Sequence, residues 1–252
     1  MKVRKKIYIV SLSGGKDSTA MLLKLLEMNK PIDYIVFCDT GVEFPEVYRH
    51  LKKIDLYLKK WNKSISVLKP KYNFIEYMTI YKAKRGVNKG LPYSFPCFSN
   101  RWCCGSLKQL PLFKYKKELS KNQNIIFIDY IGFTIEEKKR AEKLKLKEKE
   151  NQKYVFPLIE EKMSKKETLA YCYGKGFDWE GLYKYVDRTS CYICPLVGKK
   201  KLAYLINYRP ELWEIVKTLE SNLKEKGIKK WRFLLYKSTK DLEKELKVNK
   251  LF

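Results

Sequence analysis

The feature that most constrains the fold is a glycine turn between an apolar run and an apolar helical pattern. Residues 7–10 read IYIV, and residues 20–26 read AMLLKLL, which predicts a buried strand and then a helix. The turn between them contains Ser13, Gly14, Gly15, Lys16, Asp17 and Ser18. A strand that runs through such a turn into a helix is the opening of an α/β nucleotide fold.

This turn has the chemistry of a phosphate site. The dipole and the unpaired amides of a helix N-terminus both point at an anion. Gly14 and Gly15 allow the backbone to come close to a ligand, and Lys16 adds a positive charge. The alternative is an ordinary strand-to-helix turn, but the strand, turn and helix in register favour phosphate binding. The spacing differs from the Walker pattern, which places more residues before its Gly-Lys-Ser/Thr.

Strand and helix patterns alternate over the first part of the chain. The strand patterns cover residues 7–10, 34–38, 64–68, 124–131 and 154–158. Helical patterns lie between them at residues 20–26, 46–60, 74–84, 107–119 and 136–149. This alternation predicts an α/β fold with a doubly wound, mostly parallel sheet. Asp39 and Thr40 follow the second strand, where such sheets bind ligands.

The chain divides into an α/β nucleotide-binding domain over residues 1–158 and a smaller helical, cysteine-bearing region over residues 159–252. A capping box at Ser164 predicts a helix, and residues 210–226 predict the final one. Residues 85–105 and 174–201 read as irregular segments, and the first is long enough to be functional. His50 is expected at the surface.

The formal charge of +26 predicts an anionic partner, most simply nucleic acid. The alternative is a lysine excess encoded by an AT-rich genome, because only 8 of the 54 basic residues are arginine. Against it, the chain has only 28 acidic residues, too few to balance the positive charge. No apolar run is long enough to span a membrane. The basic N-terminus precedes a short apolar run and reads as a first strand, so we expect a cytoplasmic protein.

Five of the seven cysteines cluster in two segments, which indicates metal or sulfur chemistry rather than a disulfide framework. Cys191 and Cys194 are two residues apart, a spacing that chelates one metal centre. Cys103 and Cys104, with Cys97 upstream, can supply the other ligands. Adjacent cysteines suit a polynuclear cluster, so we favour a 4Fe–4S cluster over structural zinc and over unligated thiols. Cys104 and Cys97 compete for the last ligand position; Cys38 and Cys172 read as small buried hydrophobes.

These motifs resemble a known superfamily. The hexapeptide at residues 13–18 is similar to the PP-loop of the ATP pyrophosphatases, which cradle ATP and cleave between its α- and β-phosphates. Cys103-Cys104, followed after 86 residues by Cys191-x-x-Cys194, resembles the iron–sulfur pattern of adenylylsulfate reductases. Those enzymes belong to the phosphoadenosine-phosphosulfate reductase family. The resemblance covers about residues 7–200 and implies a fold like that of the adenine nucleotide alpha hydrolases.

Three further stretches resemble motifs of that family: Asp39-Thr40-Gly41, Arg101-Trp102-Cys103 with Lys108, and Gly132-Phe133-Thr134 with Arg140. By this resemblance, Lys16, Asp17, Lys108 and Arg140 are the expected catalytic residues. The expected nucleotide-binding residues are Ser11, Ser13, Gly14, Gly15, Lys16, Asp17, Ser18, Asp39, Thr40 and Gly132.

One departure from the family bears on the activity. Its reductases attack sulfate with a cysteine near the C-terminus, whereas the last cysteine here is Cys194. The expected function is therefore that of an ATP pyrophosphatase that adenylates a nucleic acid for sulfur transfer, as in tRNA thiolation or DNA phosphorothioation. A sulfonucleotide reductase, with Cys38 or Cys172 as nucleophile, is the first alternative. A non-catalytic nucleotide- or nucleic-acid-binding module is the second.

This reading also implies cofactors and partners. The expected cofactors are ATP, Mg²⁺ and a 4Fe–4S cluster, with zinc the less favoured metal. The expected partners are DNA or tRNA, a sulfur donor such as a cysteine desulfurase or sulfide, and a second copy of the chain in a homodimer. No membrane partner is expected.

Overall fold

The computed structural model describes residues 4–86, 88–121 and 123–248. The described chain packs into two compact units that alternate along the sequence. Unit 1 is drawn from Met1–Cys38, Pro45–Leu68 and Leu112–Leu182; unit 2 is drawn from Asp39–Phe44, Lys69–Pro111 and Tyr183–Phe252. The predicted division is a single cut after residue 158. It stays a prediction about domains, because these units are defined by packing and not by independent folding.

Unit 1 is built on a five-stranded, all-parallel sheet in the order β3-β2-β1-β4-β5. Its strands are β1 (Lys5–Ser11), β2 (Tyr34–Cys38), β3 (Ile65–Leu68), β4 (Ile125–Tyr130) and β5 (Gln152–Val155). The strand order changes direction between β1 and β4, which is the ligand-binding position of a doubly wound sheet. The predicted α/β fold with a parallel sheet is confirmed.

Eleven helices are present in the described residues. They are α1 (Lys16–Glu27), α2 (Pro45–Leu58), α3 (Phe74–Thr79), α4 (Trp102–Cys104), α5 (Leu110–Leu119), α6 (Lys138–Lys145), α7 (Pro157–Glu160), α8 (Lys165–Gly174), α9 (Lys199–Tyr208), α10 (Pro210–Glu225) and α11 (Thr239–Val248). Short 3₁₀ segments cover Lys59–Trp61, Ile135–Glu137 and Trp179–Lys184.

Burial follows the apolar pattern in unit 1. Ile7 and Ile9 of β1 pack with Val36 of β2 and with Ile125 and Phe127 of β4 in one buried cluster. Parallel strands are covered on both faces, so their sequences are apolar almost throughout. Helix α1 is buried along most of its length and packs against α7 and α8. The capping box at Ser164, whose side chain accepts from the amide of Glu167, begins α8 as predicted.

Unit 2 is mainly helical. Helix α10 packs against α3 and α9, and α11 packs against α9 and α10. The predicted apolar face of α10 is buried, with Trp213 and Val216 at its centre. The long segment before α4 is ordered by aromatic packing: Tyr93 stacks on Trp102 at 5.1 Å, and the indole of Trp102 donates to the carbonyl of Ser94.

A π-helical turn, Gly105–Gln109, lies between α4 and α5. The amide of Leu110 donates to the carbonyl of Gly105, five residues back. Pro111 has no amide hydrogen and cannot make the next ordinary helical bond to Leu107. A wide turn before a proline accommodates that loss. Helix α4, which precedes this turn, begins at Trp102, so helical structure starts earlier than the predicted residue 107.

Two predictions about the C-terminal part are wrong. Residues 174–201 were expected to be irregular, but α9 begins at Lys199. The helix at 210–226 was expected to be the last, but α11 follows it. The lysine-rich sequence hid both helices. The apolar face of α11 is narrow, with Leu242 and Leu246 strongly buried, whereas α9 is buried throughout residues 201–206.

No helix in the described part of the chain has both the length and the apolar character needed to cross a membrane.

Candidate functional site

The glycine turn lies in unit 1 between β1 and α1. Ser13 and Ser18 close it: the amide of Ser13 donates to Ser18 Oγ at 3.1 Å, and the two hydroxyl oxygens are 3.0 Å apart. The hydroxyl of Ser18 donates to the carbonyl of Gly15 at 3.0 Å. Gly15 is the N-cap of α1 and supplies no side chain to cap it. The positive end of the helix dipole is therefore open to an anion.

Two glycines are required by close packing at this turn. Gly14 has φ +74°, and a Cβ there would lie 2.7 Å from Val47 Cγ1. A Cβ on Gly132, which follows β4, would lie 3.1 Å from the backbone of Asp17 and Ser18. Larger residues would force the turn apart. The structure thus brings Gly132 against the turn, and its assignment as a nucleotide-binding residue stays a prediction. Ser11, the last residue of β1, is half-buried.

Lys16 is buried and points into unit 1. Its Nζ donates to Asp17 Oδ1 at 2.6 Å, to the carbonyl of Lys165 at 2.8 Å and to Thr168 Oγ1 at 3.2 Å. The hydroxyl of Thr168 donates to Asp17 Oδ1 at 2.7 Å. Thr168 is fully buried on α8. The lysine, the aspartate and the threonine form one network that fixes the first turn of α1.

A second contact holds the turn from the other side. The indole Nε1 of Trp179 donates to the carbonyl of Gly14 at 2.8 Å. Trp179 also stacks on His50 at 4.0 Å, and His50 Nε2 lies 3.0 Å from Thr19 Oγ1. His50 was expected at the surface, and that prediction is wrong: it is 4% exposed. Burial lowers the pKa of His50 to about 3, so its ring is neutral.

The two isolated cysteines lie in unit 1. Cys172 on α8 is buried, and its thiol donates to the carbonyl of Lys16 at 3.4 Å. Burial, with the charge of Asp17, raises the pKa of this thiol to about 12. Cys172 is therefore a protonated group that packs beneath the turn. Cys38, at the end of β2, is partly buried against the core of the sheet.

Arg140 lies on α6 and is exposed. It forms an ion pair with Glu137, and its guanidinium lies over the ring of Phe133 at 4.4 Å. Phe133 in turn stacks on Phe156 at 5.7 Å. Both partners of Arg140 are in unit 1.

The two cysteine pairs lie together in unit 2. A hydrogen bond with Cys104, then burial, then the charges of Cys104, Cys191 and Cys194 raise the pKa of Cys103 above its ordinary range. The same hydrogen bond lowers the pKa of Cys104 to about 5, helped by Arg101 and Lys108. The fold has therefore brought thiols from two distant segments within electrostatic reach of one another.

A buried carboxylate, Glu43, borders this cluster. The thiol of Cys191 donates to Glu43 Oε1 at 3.2 Å, and the hydroxyl of Thr40 donates to the same oxygen at 3.1 Å. Thr40 Oγ1 lies 3.4 Å from Cys191 Sγ. Burial and then the charge of Glu43 raise the pKa of Cys191 to about 12. Asp39 caps the same segment by accepting from the amide of Gly41 at 2.9 Å.

Two lysines, Lys108 and Lys201, place positive charge beside Glu43 and the cysteine thiols. Lys108 Nζ is 3.7 Å from Glu43 Oε1. Burial alone would lower the pKa of Lys108, but Glu43 and the nearby thiols outweigh it and hold the pKa above its usual value. Lys201 is buried; it donates to Ser190 Oγ at 2.6 Å and to the carbonyl of Cys191 at 3.1 Å. Burial lowers the pKa of Lys201 to about 8.

Cys97 stands in a different setting. Its backbone pairs with Asn100, and its sulfur lies 3.3 Å from Ser99 Oγ. The hydrogen bond with Ser99 lowers the pKa of Cys97. The choice between Cys97 and Cys104 as the fourth ligand stays a prediction.

The donor set in unit 2 fits an iron–sulfur cluster. All four paired cysteines are free thiols that are partly exposed. Thiolates are the ligands that such clusters need, and lysines near them offset their charge. Over residues 4–86, 88–121 and 123–248, no three His, Cys, Asp or Glu side chains already have metal-holding geometry. The fit therefore rests on which donors are present and on their placement in one unit.

Several functional candidates were missed from the sequence. Glu43, Lys201, Thr168 and Trp179 are all strongly buried and polar or partly polar, and each contacts a predicted site residue. A signal existed for Glu43 alone, since it lies in the acidic segment after β2. The other three come from distant positions, and no local pattern marks them.

Comparison with known proteins identifies a family for this chain. A family model described as the phosphoadenosine phosphosulfate reductase domain matches residues 7–200. The chain is 28% identical over 243 residues to the uncharacterized protein MJ0066 of Methanocaldococcus jannaschii, covering 91% of this chain and 46% of that protein. It is 29% identical over 191 residues to the uncharacterized nin region protein ORF290 of Escherichia phage lambda, covering 68% and 61%. The chain thus spans about half of one relative and three fifths of the other.

Two solved structures are similar at low identity. One is a phosphoadenylyl-sulfate (PAPS) reductase from Candida auris in a phosphate complex, at 15% identity, TM-score 0.42, covering 72% of this chain and 79% of that chain. The other is the U34-tRNA thiolase NcsA from Methanococcus maripaludis with its 4Fe–4S cluster, at 16% identity, TM-score 0.42, covering 88% and 74%.

Proposed function

Because the chain belongs to the phosphoadenosine phosphosulfate reductase family, we propose that it is an ATP pyrophosphatase that adenylates a nucleic acid for sulfur transfer. ATP is the nucleotide, and an oxygen atom of DNA or tRNA is the acceptor. The sulfur comes from a sulfide-level donor.

The observation that carries this proposal is the turn at residues 13–18. It lies where the strand order of the sheet reverses, and it opens α1 without a capping side chain. Gly14 and Gly132 let neighbouring protein atoms pack closely against the turn, which fixes the backbone that would bind a pyrophosphate. An anion held there would be stabilised by the helix dipole and by backbone amides.

The reaction has two bond exchanges. The acceptor oxygen attacks the α-phosphorus of ATP, the bond from that phosphorus to the α–β bridging oxygen breaks, and pyrophosphate leaves. Sulfide then displaces AMP, which departs with the acceptor oxygen. Mg²⁺, when bound to the phosphates, neutralises charge on the leaving group. Asp17, in the same unit as the turn, is the carboxylate that we assign to it.

We assign the lysine of the turn a positioning role. Lys16 Nζ is engaged by Asp17, by Thr168 and by the carbonyl of Lys165. It therefore orients the carboxylate of Asp17 and fixes the helix start. Lys108 and Arg140 are assigned to the negatively charged substrate, because both are cationic and their side chains are 45% and 65% exposed.

The acceptor assignment rests on charge. A formal charge of +26 on 252 residues is far more than a small nucleotide substrate needs. Phosphate backbones attract such a surface strongly and in a salt-dependent way. Cys103, Cys104, Cys191 and Cys194 would hold a 4Fe–4S cluster and link the two cysteine segments. Four thiolates occupy all four irons, so sulfide would bind there only by displacing one thiolate. Around the cluster, Glu43 would accept a proton from a thiol, and Lys201 would hold the Ser190–Cys191 backbone in place.

Pyrophosphate release tests the nucleotide chemistry. ATP, Mg²⁺ and protein are incubated with single-stranded DNA or tRNA, and both phosphate products are measured. We expect pyrophosphate and AMP, and we expect Asp17→Asn to abolish both. The control Asp187→Asn changes an exposed carboxylate of unit 2 and should leave the rate unchanged. Orthophosphate as the main product would refute the proposal.

Iron analysis tests the cysteine assignment. Protein purified without oxygen should be brown and contain about four iron and four sulfide per chain. Cys191→Ser should remove the colour, whereas Cys38→Ser should keep it. A colourless protein with one zinc would replace the cluster by a structural ion.

The family name also suggests a second candidate activity, the reduction of adenylylsulfate or its phosphorylated form. It requires a nucleophilic thiol at the nucleotide. Cys172 is near the turn, but burial keeps it protonated, and its thiol is already engaged with the carbonyl of Lys16. Sulfite release from adenylylsulfate with a thiol reductant would reverse our preference. Nucleotide binding without turnover would favour the non-catalytic alternative.

A further inference from the structure

Unit 2 contains a cavity that neither site uses. Its volume is about 290 Å³, at the lower end of the range for small-ligand pockets. Phe95 and Phe233 are its buried aromatic residues, and Pro195 and Leu196 form part of its wall. Flat apolar rings and prolines make a surface suited to a flat ligand.

The cavity is held in shape by a buried carboxylate. Glu220 on α10 accepts from the amide of Phe233 at 2.6 Å and from the amide of Thr239 at 2.9 Å. Phe233 also packs edge-on against Phe95 at 5.1 Å and against Trp213 at 5.7 Å. These contacts fix one wall of the cavity before any ligand arrives, which reduces the cost of binding.

The charge at the cavity has one sign. Lys229, Lys230 and Arg232 line it, and no acidic residue does. Within residues 4–86, 88–121 and 123–248, neither Lys229 nor Lys230 forms an ion pair. Lys224 and Arg232 also lie over the ring of Trp231, at 5.3 and 5.2 Å. The complementary ligand therefore combines an anionic group with a flat apolar one.

Phe98 adds an exposed aromatic ring to the same cavity. It is 89% exposed, although it is large and apolar. A ring that contributes so little to the core is available for stacking. Nucleobases stack on such rings in a sequence-tolerant way while cationic residues hold the backbone. Anionic lipid would instead need a broad apolar face that enters the bilayer, whereas this feature is a concave pocket.

The cavity also adjoins the cysteine segments along the chain. Cys97 lines it, and so does Pro195, which directly follows Cys194. We propose that this cavity binds one unpaired nucleobase of a single-stranded nucleic acid, with the adjoining phosphates on Lys229, Lys230 and Arg232. The inference rests on the proposed function for its substrate class and names where that substrate is held. A paired base is unavailable for stacking, so the bound strand is locally unpaired.

The test measures binding without ATP, so that it does not depend on turnover. Fluorescence anisotropy is recorded with single-stranded DNA and RNA oligomers, with the matching duplex, and with an abasic oligomer. Phe98→Ala should weaken binding of the base-bearing strands about tenfold and leave the abasic strand unchanged. Wild-type protein should prefer single strands to duplex. Equal binding of both, or an equal effect of Phe98→Ala on the abasic strand, would overturn the proposal.

Charge is tested separately. The double variant Lys229→Ala/Lys230→Ala should reduce the slope of log affinity against log salt by about 1.4, which is two single-strand phosphate contacts. The matched control Lys143→Ala/Lys147→Ala removes two exposed lysines of unit 1 and should change the slope less. A larger reduction of the salt slope by the control variant would show that the nucleic-acid strand binds outside the cavity and would refute the proposed site.

Two further arms separate this inference from its neighbours. Vesicles of phosphatidylserine and phosphatidylcholine should not bind in a Phe98-dependent way; if they alone do, the cavity binds lipid. Pyrophosphate release tests the proposed function independently. Base-dependent binding without pyrophosphate release would support the nucleobase cavity and refute the proposed enzyme activity. Pyrophosphate release without Phe98-dependent binding would support the enzyme activity and refute the nucleobase cavity. DNA and RNA arms identify which strand binds more tightly.

Discussion

The indole of Trp179 donates a hydrogen bond to the carbonyl of Gly14 across 165 residues of sequence, at 2.8 Å. Both residues are in unit 1, and the bond holds the turn at residues 13–18 from a segment that no motif marks. Trp179 is 1% exposed and Gly14 is buried, so water cannot easily replace the indole as the hydrogen-bond donor to the carbonyl of Gly14.

Trp179→Phe should therefore loosen the turn. The variant leaves a buried carbonyl without its donor, which costs about 1–3 kcal/mol in the free energy of unfolding. We expect this loss in urea unfolding together with a higher KM for ATP. Trp213→Phe is the matched control, because it removes an indole bond to Glu243 in unit 2. It should lower stability but leave the KM unchanged; a raised KM in the control would contradict this account.

Thr168 should matter through its hydroxyl. It accepts from Lys16 Nζ and donates to Asp17 Oδ1, and it is fully buried. Thr168→Val keeps the shape and removes both bonds, so we expect a loss of about 1–3 kcal/mol and slower pyrophosphate release. Thr168→Ser keeps the hydroxyl and should stay near wild type in both measurements. Equal rates for the valine and serine variants would show that the hydroxyl has no positioning role.

Gly14→Ala should be strongly destabilising for two reasons. The residue has φ +74°, and its Cβ would lie 2.7 Å from Val47 Cγ1. Left-handed strain and overpacking together amount to about 2–5 kcal/mol. Adding Val47→Ala relieves the crowding but not the strain, so stability should recover only in part. Gly174→Ala, where a Cβ meets nothing within 4 Å, should be close to neutral in thermal melts.

His50 should make the fold sensitive to acid. Its pKa falls from an ordinary 6.5 to about 3 on folding, chiefly through burial. Between these values the unfolded chain binds a proton and the folded chain does not, so stability decreases as pH falls. The slope contributed is about 1.4 kcal/mol per pH unit. Urea unfolding between about pH 7 and about pH 5 should show a smaller decrease for His50→Gln than for wild type. Parallel curves would contradict the burial of a neutral ring.

The sequence predicted the parts of the site that are local. The strand, the turn at residues 13–18 and the start of α1 are consecutive, so their types follow from periodicity, glycine and helix capping. The order of strands and helices likewise predicted the parallel sheet. It did not predict α11 or the burial of His50, because a narrow apolar face on a lysine-rich helix and a lone histidine leave no periodic signal.

By itself, the sequence determined that this chain carries a glycine turn at the start of a helix and two pairs of thiols, since those features depend on residue type and short spacing. Only the tertiary structure decided what surrounds them. Thr168 and Trp179 reach the turn from far along the chain, and Glu43 meets Cys191 in the same way. The physical reason is that buried polar groups must find partners wherever the fold brings a donor and an acceptor together, and sequence spacing does not encode that meeting.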